Sequence, residues 1–262
     1  MKNRKNSALI VLLVMLYMVI PIVFTILYAV STKWQITLLP EGFTLKHFHS
    51  LFTNLRFYQA VGRSLSVSII SIALSFTLLL PVIYMGKVHF PWLNRIMRFV
   101  SMIPFAISGV ILAVGLIKLY SSGPLAISGT VFILIGAYFV VIMPFMYQGI
   151  KTSLDTLEVK TLIDAAKLLG ASEWETFWKV IFPNLMKGVS VSVLLSFAIL
   201  MGEFVLSNIL VGGNYETIQV FMFWSRGVSG HYSSAIVTSY FMLIVAVTAL
   251  ILYLNKYDTK RG

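Results

Sequence analysis

The stretch Asp164-Ala165-Ala166-Lys167-Leu168-Leu169-Gly170-Ala171-Ser172-Glu173-Trp174-Glu175-Thr176-Phe177-Trp178-Lys179-Val180-Ile181-Phe182-Pro183 lies in the longest polar interruption between apolar blocks of this chain. Leu157, Leu162, Ala165, Ala166, Leu168 and Leu169 give a helix with one apolar face, and Thr161-x-x-Asp164 is suited to its start. Gly170 then fits the position just past a helix end, where a left-handed backbone is cheap only for glycine. Ser172-x-x-Glu175 has the form of a capping box and opens a second helix. Trp174, Phe177, Trp178 and Ile181 make that helix amphipathic, and Pro183 restarts the chain toward the next apolar block. The spacing therefore predicts helix, glycine turn, helix, with aromatic groups free to fill a partner's groove. The competing reading is a helix pair lying on lipid headgroups; the near-balanced charge disfavours it, because such helices are usually clearly basic.

Outside this segment the chain reads as membrane. Its 58% hydrophobic content exceeds that of a soluble domain, and several blocks approach the roughly 20 residues that cross a bilayer as a helix. Backbone groups in hydrocarbon must be satisfied internally, and the alternating pattern of a barrel is absent. The expected fold class is an all-α integral membrane protein forming one transmembrane domain over residues 1–262. Six spans are expected, at about 8–30, 64–85, 99–117, 127–146, 189–211 and 235–254, with the polar loop at 151–187. The first block is longer than a signal-peptide core of about 7–15 residues and is read as a retained span. There is no cysteine, hence no disulfide framework and no thiolate metal site.

The net charge of +11 would raise nucleic acid as a partner for a soluble protein; here it is read as topology, with no nucleic acid expected. Lys2, Arg4 and Lys5, then Lys87, Arg95 and Arg98, then Lys151, Lys160, Lys167, Lys179 and Lys187, then Lys256, Lys260 and Arg261 fall on one side of a six-span chain. By the positive-inside rule that side is cytoplasmic, with both termini and the 151–187 loop. The opposite side carries the aromatic-rich segment 31–63 and a short amphipathic or re-entrant helix within 215–227.

Polar residues recur on single faces of the spans. Ser64, Ser68, Ser71 and Ser75 share a face of the second; Ser101, Ser108 and Gly115 are seven apart in the third; Gly188, Ser192, Ser196, Glu203 and Ser207 mark the fifth. Small residues let membrane helices approach closely, and such faces also line polar pathways. Glu203 is the one acidic residue inside an expected span. An ionisable group at that depth faces a cavity or a partner, so Glu203 is read either as a hydrogen-bonded structural group or, with Ser192, Ser196 and Ser207, as part of a translocation path. Pro81, Pro104 and Pro144 offer kink points. His47, His49, His89 and His231 are scattered and show no metal-ligand spacing such as His-Glu-x-x-His.

The 164–183 segment resembles the signature loop of permease subunits of type I ABC importers, the binding-protein-dependent transport permeases. Their pattern is Glu-Ala-Ala, three residues, Gly, nine residues, Ile, one residue, Leu-Pro. Asp164-Ala165-Ala166, Gly170 and Pro183 fall at that spacing, with Asp164 in place of Glu, Val180 of Ile and Phe182 of Leu. The resemblance implies a coupling helix that docks on a cytoplasmic ATP-binding subunit, with Asp164, Ala165, Ala166, Gly170, Trp174 and Pro183 as candidate coupling residues. It implies alternating access and an extracytoplasmic solute-binding protein that delivers the solute, in a bacterial cell membrane with lipid around the spans. The sequence around Gly202-Glu203-Phe204 and Tyr232-Ser233-Ser234-Ala235 is most similar to the subgroup importing polyamines, 2-aminoethylphosphonate and ferric iron, which implies a second, different permease chain. The chain has no Gly-x-x-x-x-Gly-Lys-[Ser/Thr] loop, so it is read as no enzyme and as carrying no cofactor, with hydrolysis in a partner. The alternative is an ion-coupled secondary transporter with Glu203 as the coupling site.

Overall fold

The computed structural model describes residues 2–34 and 37–259. Lys260 and Arg261, which enter the charge reading, lie outside the described residues. The fold is all-helical: α1 (Lys2–Val30), α2 (Lys46–Phe52), α3 (Leu55–Val88), α4 (Pro91–Ala106), α5 (Gly109–Tyr120), α6 (Val131–Thr156), α7 (Val159–Leu168), α8 (Glu173–Thr176), α9 (Phe182–Met201), α10 (Val205–Leu210), α11 (Ile218–Ser225) and α12 (Gly230–Thr259). Phe177–Ile181 forms a π turn between α8 and α9.

Among the described residues, five helical runs are long and apolar enough to cross a bilayer: Leu9–Val30, Leu55–Val88, Val131–Thr156, Glu173–Met201 and Gly230–Ile251. The third expected span, 99–117, is not one straight helix. It is the pair α4 and α5, bent by 105°. Pro104 removes the donor that would bond the Val100 carbonyl, the helix ends two residues later, and Ile107 and Ser108 are extended. Pro21, Pro81 and Pro144 lie inside unbroken helices. The fifth expected span, 189–211, is likewise divided, α9 ending at Met201 and α10 starting at Val205.

The larger of two compact units comprises residues 60–220 with 247–262. It is organised on α6, against which α4, α5, α9 and α10 pack. Every fourth residue of α6 from Leu134 through Tyr138, Ile142, Met146 and Ile150 to Leu154 is buried, which is one face of a helix. The α6–α9 crossing is close because small residues oppose one another. A Cβ on Gly149 would run into the Ser192 side chain, and one on Gly188 into that of Ser153. Each helix thus offers two small residues four apart at the crossing, the arrangement that brings membrane helices near contact. The serine face of α3 is buried throughout: Ser64 Oγ accepts the Ile218 N–H at 2.8 Å, and Ser71 Oγ donates to the Ile135 carbonyl at 3.4 Å.

The smaller unit comprises residues 1–59 with 221–246. His231 Nδ1 donates to the Tyr28 carbonyl at 2.9 Å, and the two rings stack with centroids 4.1 Å apart. His47 also stacks with His231, with centroids 5.3 Å apart. Burial first, and then the neighbouring His231, push the His47 imidazole below its ordinary value. Asn54 Nδ2 donates to Tyr232 Oη at 3.2 Å. The 31–63 segment thus uses its aromatic groups to build a core around Leu51 and Phe57, both buried.

Candidate functional site

The loop between α6 and α9 is a rigid hairpin. It opens at Glu158, which takes a left-handed backbone at φ 43°. The turn starts α7 at Val159, so Thr161 and Asp164 lie inside the helix and do not cap it, contrary to the sequence expectation. The buried face of α7 is Val159 and Ile163, while Leu168 and Leu169 point away, 89% and 88% exposed. The packed side is thus not the apolar face read from the sequence: of those six residues Leu157, Leu162 and Ala166 are half-buried and Ala165, Leu168 and Leu169 are exposed.

Gly170 has φ +80°, the left-handed conformation its position requires. Its N–H donates to the Lys167 carbonyl and that of Ala171 to the Ala166 carbonyl, both at 3.0 Å. These two bonds close the end of α7 as a Schellman motif. Ser172 Oγ then accepts the Glu175 N–H, and Glu175 Oε2 accepts the Ser172 N–H, both at 3.2 Å, completing the capping box. A cap of this kind contributes about 1 kcal/mol.

The second arm does not stop at Pro183. Glu173–Met201 is one run of 29 residues, and Pro183 sits in the first turn of α9. The π turn supplies the reason. Phe182 N–H reaches back five residues to the Phe177 carbonyl, and this wide turn falls just before a proline that has no N–H to offer the Lys179 carbonyl. Of the candidate coupling residues, Asp164, Ala165, Gly170, Trp174 and Pro183 are exposed and Ala166 is half-buried. Trp174, 70% exposed, joins Leu168 and Leu169 as large apolar groups at the hairpin's free end.

The structure adds pairings that the sequence did not show. Lys87, near the end of α3, meets Asp155 Oδ1 at 2.5 Å, and Lys151 meets Asp155 Oδ2 at 2.5 Å. His89 Nε2 lies 2.9 Å from Glu173 Oε1, and Tyr84 Oη donates to the same oxygen at 3.4 Å. Partners 68, 84 and 89 positions apart leave no spacing signal in a single sequence. Behind these contacts is a cavity of about 750 Å³ lined by Phe76, Leu80, Pro81, Tyr84, Phe177, Trp178 and Phe182, among others.

The four residues expected along a path have separate surroundings. Ser192 is half-buried against Gly149 and borders an open cavity of about 270 Å³ with Gln148, Thr152 and Leu195. Ser196 is fully buried, and its hydroxyl has no partner among the described residues. Ser207 is fully buried and donates to the Glu203 carbonyl at 3.1 Å. Glu203 lies at the break before α10. Its carboxylate accepts the Leu206 N–H at 2.9 and 3.0 Å and the Ser207 N–H at 3.1 Å. These are otherwise orphan donors of the first turn of α10, so the carboxylate acts as that helix's cap.

Comparison with known proteins agrees with this architecture. Residues 79–256 match the family described as binding-protein-dependent transport system inner membrane component. A 2-aminoethylphosphonate transport system permease protein of Salmonella typhimurium is 26% identical over 253 residues, covering 95% of this chain and 92% of that protein. The spermidine/putrescine transport system permease protein of Escherichia coli K12 is 26% identical over 259 residues, covering 94% and 93%. In fold, the chain superposes on a chain of a bacterial ABC transporter that imports the polysaccharide alginate, with TM-score 0.73, 17% identity and coverage of 99% and 96%. It also superposes, at TM-score 0.71, on the alginate transporter in complex with its pentasaccharide-bound periplasmic protein. The helical membrane fold, the signature spacing at 164–183 and the family match together establish that this chain belongs to the binding-protein-dependent transport system inner membrane components, as a permease of the type I ABC importer kind.

Proposed function

We propose that the chain is the transmembrane permease subunit of an ATP-driven importer. It moves a small polar or charged solute of the polyamine, phosphonate or metal-ion class into the cytoplasm by alternating access. The observation that carries this is the hairpin tip: Leu168, Leu169 and Trp174 stand exposed around a glycine turn, on an arm continuous with a membrane span. An apolar patch on a capped, rigid projection is a docking feature, and a cleft that closes on it moves the span as a body. Asp164, Ala165, Ala166, Gly170, Trp174 and Pro183 are the coupling residues in this reading, and two cytoplasmic ATP-binding subunits are the partners they meet. The phosphonate and polyamine classes rest on the names of the relatives; the metal-ion class rests only on the resemblance around Gly202-Glu203-Phe204 and Tyr232-Ser233-Ser234-Ala235.

The whole chain acts as one permease domain with both termini in the cytoplasm. A second, different permease chain completes the pore, and an extracytoplasmic binding protein delivers the solute. α1, exposed along its apolar window, is a surface available to lipid or to that second chain. Ser192, Ser196, Glu203 and Ser207 shape the path chiefly by fixing the α6–α9 spacing and the break before α10. With its carboxylate turned to backbone donors, Glu203 gives the ion-coupled alternative no support.

The test is reconstitution in proteoliposomes with the ATPase, second permease and binding protein that co-purify with it from its own cells, assayed with labelled 2-aminoethylphosphonate, spermidine and putrescine. Uptake that requires ATP and the binding protein is expected. Uptake driven by a proton or sodium gradient without ATP would overturn the proposal.

A further inference from the structure

The coupling hairpin is joined to more than its own two arms. The end of α3 and the residue after it touch it at two places: Lys87 meets Asp155 in the last turn of α6, just before the hairpin opens, and Tyr84 and His89 meet Glu173 at the start of α8, three residues past Gly170. Beside the Tyr84, His89 and Glu173 contacts, whose side chains line its edge, the two surfaces do not fill the space. The cavity of about 750 Å³ separates the α3 side chains Phe76, Leu80 and Pro81 from Trp178 and Phe182 of the second arm. Aromatic contact across it is limited, Tyr84 against Phe177 at 4.8 Å and Phe76 against Phe182 at 6.3 Å. A close-packed interface transmits displacement by itself. A hollow one transmits it only through whatever spans its rim.

We propose that Asp155 and Glu173 are positioning residues that tie the cytoplasmic end of the second span to the coupling hairpin, so that ATPase closure drives α3 and α9 as one body. This rests on the permease reading. The ties differ from docking contacts in that they face inward to this chain's own span; they set what the hairpin moves, not what it binds. Glu173 suits the role because it stands in the first turn of α8, one residue after the Ser172 cap that fixes where that turn begins. Asp155 suits it because one carboxylate serves Lys87 across the gap and Lys151 on its own helix, so it stays aligned.

The absence of cysteine from the sequence permits a direct test. His89→Cys with Glu173→Cys, and separately Lys87→Cys with Asp155→Cys, remove one tie each. The side chains meet end to end, so a short bis-methanethiosulfonate reagent replaces a direct disulfide, which needs Cα atoms about 4.4–6.8 Å apart. In the reconstituted complex, each unbridged pair is expected to keep ATP turnover while solute moved per ATP falls at least about fivefold, the lower end of usual coupling effects. Bridging should restore transport, and reductant should abolish it again. Normal transport in the unbridged pairs, or transport that stays low or falls further on bridging, would overturn the proposal. If a cysteine pair fails to assemble, Glu173→Gln and Asp155→Asn serve with the same split of ATP turnover from uptake, and unchanged uptake per ATP in both overturns it. A wild-type complex without ATP-dependent uptake would instead remove the permease reading, whatever the ties do.

Discussion

At Gly170 one backbone angle carries the loop's shape. A Cβ there meets nothing within 4 Å, so the position excludes side chains by its φ of +80° and not by crowding. Gly170→Val is expected to strain the turn by about 1–2 kcal/mol and to uncouple transport, with ATP turnover no longer stimulated by solute. Gly170→Asn, which tolerates a left-handed backbone, should keep most of the uptake. Normal uptake and solute-stimulated ATPase in the valine variant would end the claim, and equal loss in both would shift the cause from the turn to the docking surface. Glu203 calls for the opposite kind of experiment. Its two oxygens accept backbone N–H groups, and a glutamine offers only one acceptor. Glu203→Gln should therefore lower thermal stability by about 1 kcal/mol, the scale of a lost cap, without changing which solute is taken. A change in solute preference at unaltered stability would put the carboxylate on the path. The sequence marked both positions, because a glycine between two helical patterns and a lone acid in an apolar span are local signals. It named Lys87 only for charge and His89 only as a scattered histidine, and paired neither with Asp155 or Glu173, because such partners lie far along the chain.

Among the elements, hydrophobic length predicted the spans well where the chain stays helical, and less well where helices break. The bend between α4 and α5 and the gap before α10 fall inside apolar blocks, so composition does not flag them. Conversely, Pro183 reads as a boundary but is absorbed by a π turn, joining the hairpin to the span without a hinge. The α6–α9 crossing carries the strictest packing demand. Gly149 faces Ser192 with no room for a methyl group. Gly149→Ala should destabilise the purified permease by about 1–3 kcal/mol, the usual penalty for overpacking. Adding Ser192→Gly should recover part of that loss, because the two substitutions act on the same contact. Additive losses in thermal unfolding would show that the pair is not what sets the spacing.

For the whole molecule, the decisive property is sidedness, since a coupling hairpin works only if it faces the ATPase. In the proposed topology the positive-inside rule assigns residues 151–187 to the cytoplasm and the turn at Gly212–Asn214 to the other face, which labelling tests. Both regions present exposed side chains that take no part in caps or ties, Lys160 in α7 and Asn214 after α10. The native chain has no cysteine to mask a label. Lys160→Cys and Asn214→Cys, expressed singly in intact cells, should react with a membrane-impermeant maleimide in opposite patterns. Asn214→Cys should label from outside before lysis, and Lys160→Cys only after the membrane is opened. The basic residues lie near span ends, where each orients its helix most strongly, and six crossings return both termini to one side. The position of the termini tests the count: with five crossings, the bent α4–α5 pair entering and leaving by the same face, the two cysteines would still differ but the termini would part. An epitope tag at each end, probed in the same cells, should be shielded at both. Exposure of either tag before lysis would break the six-span topology on which the hairpin's cytoplasmic placement depends.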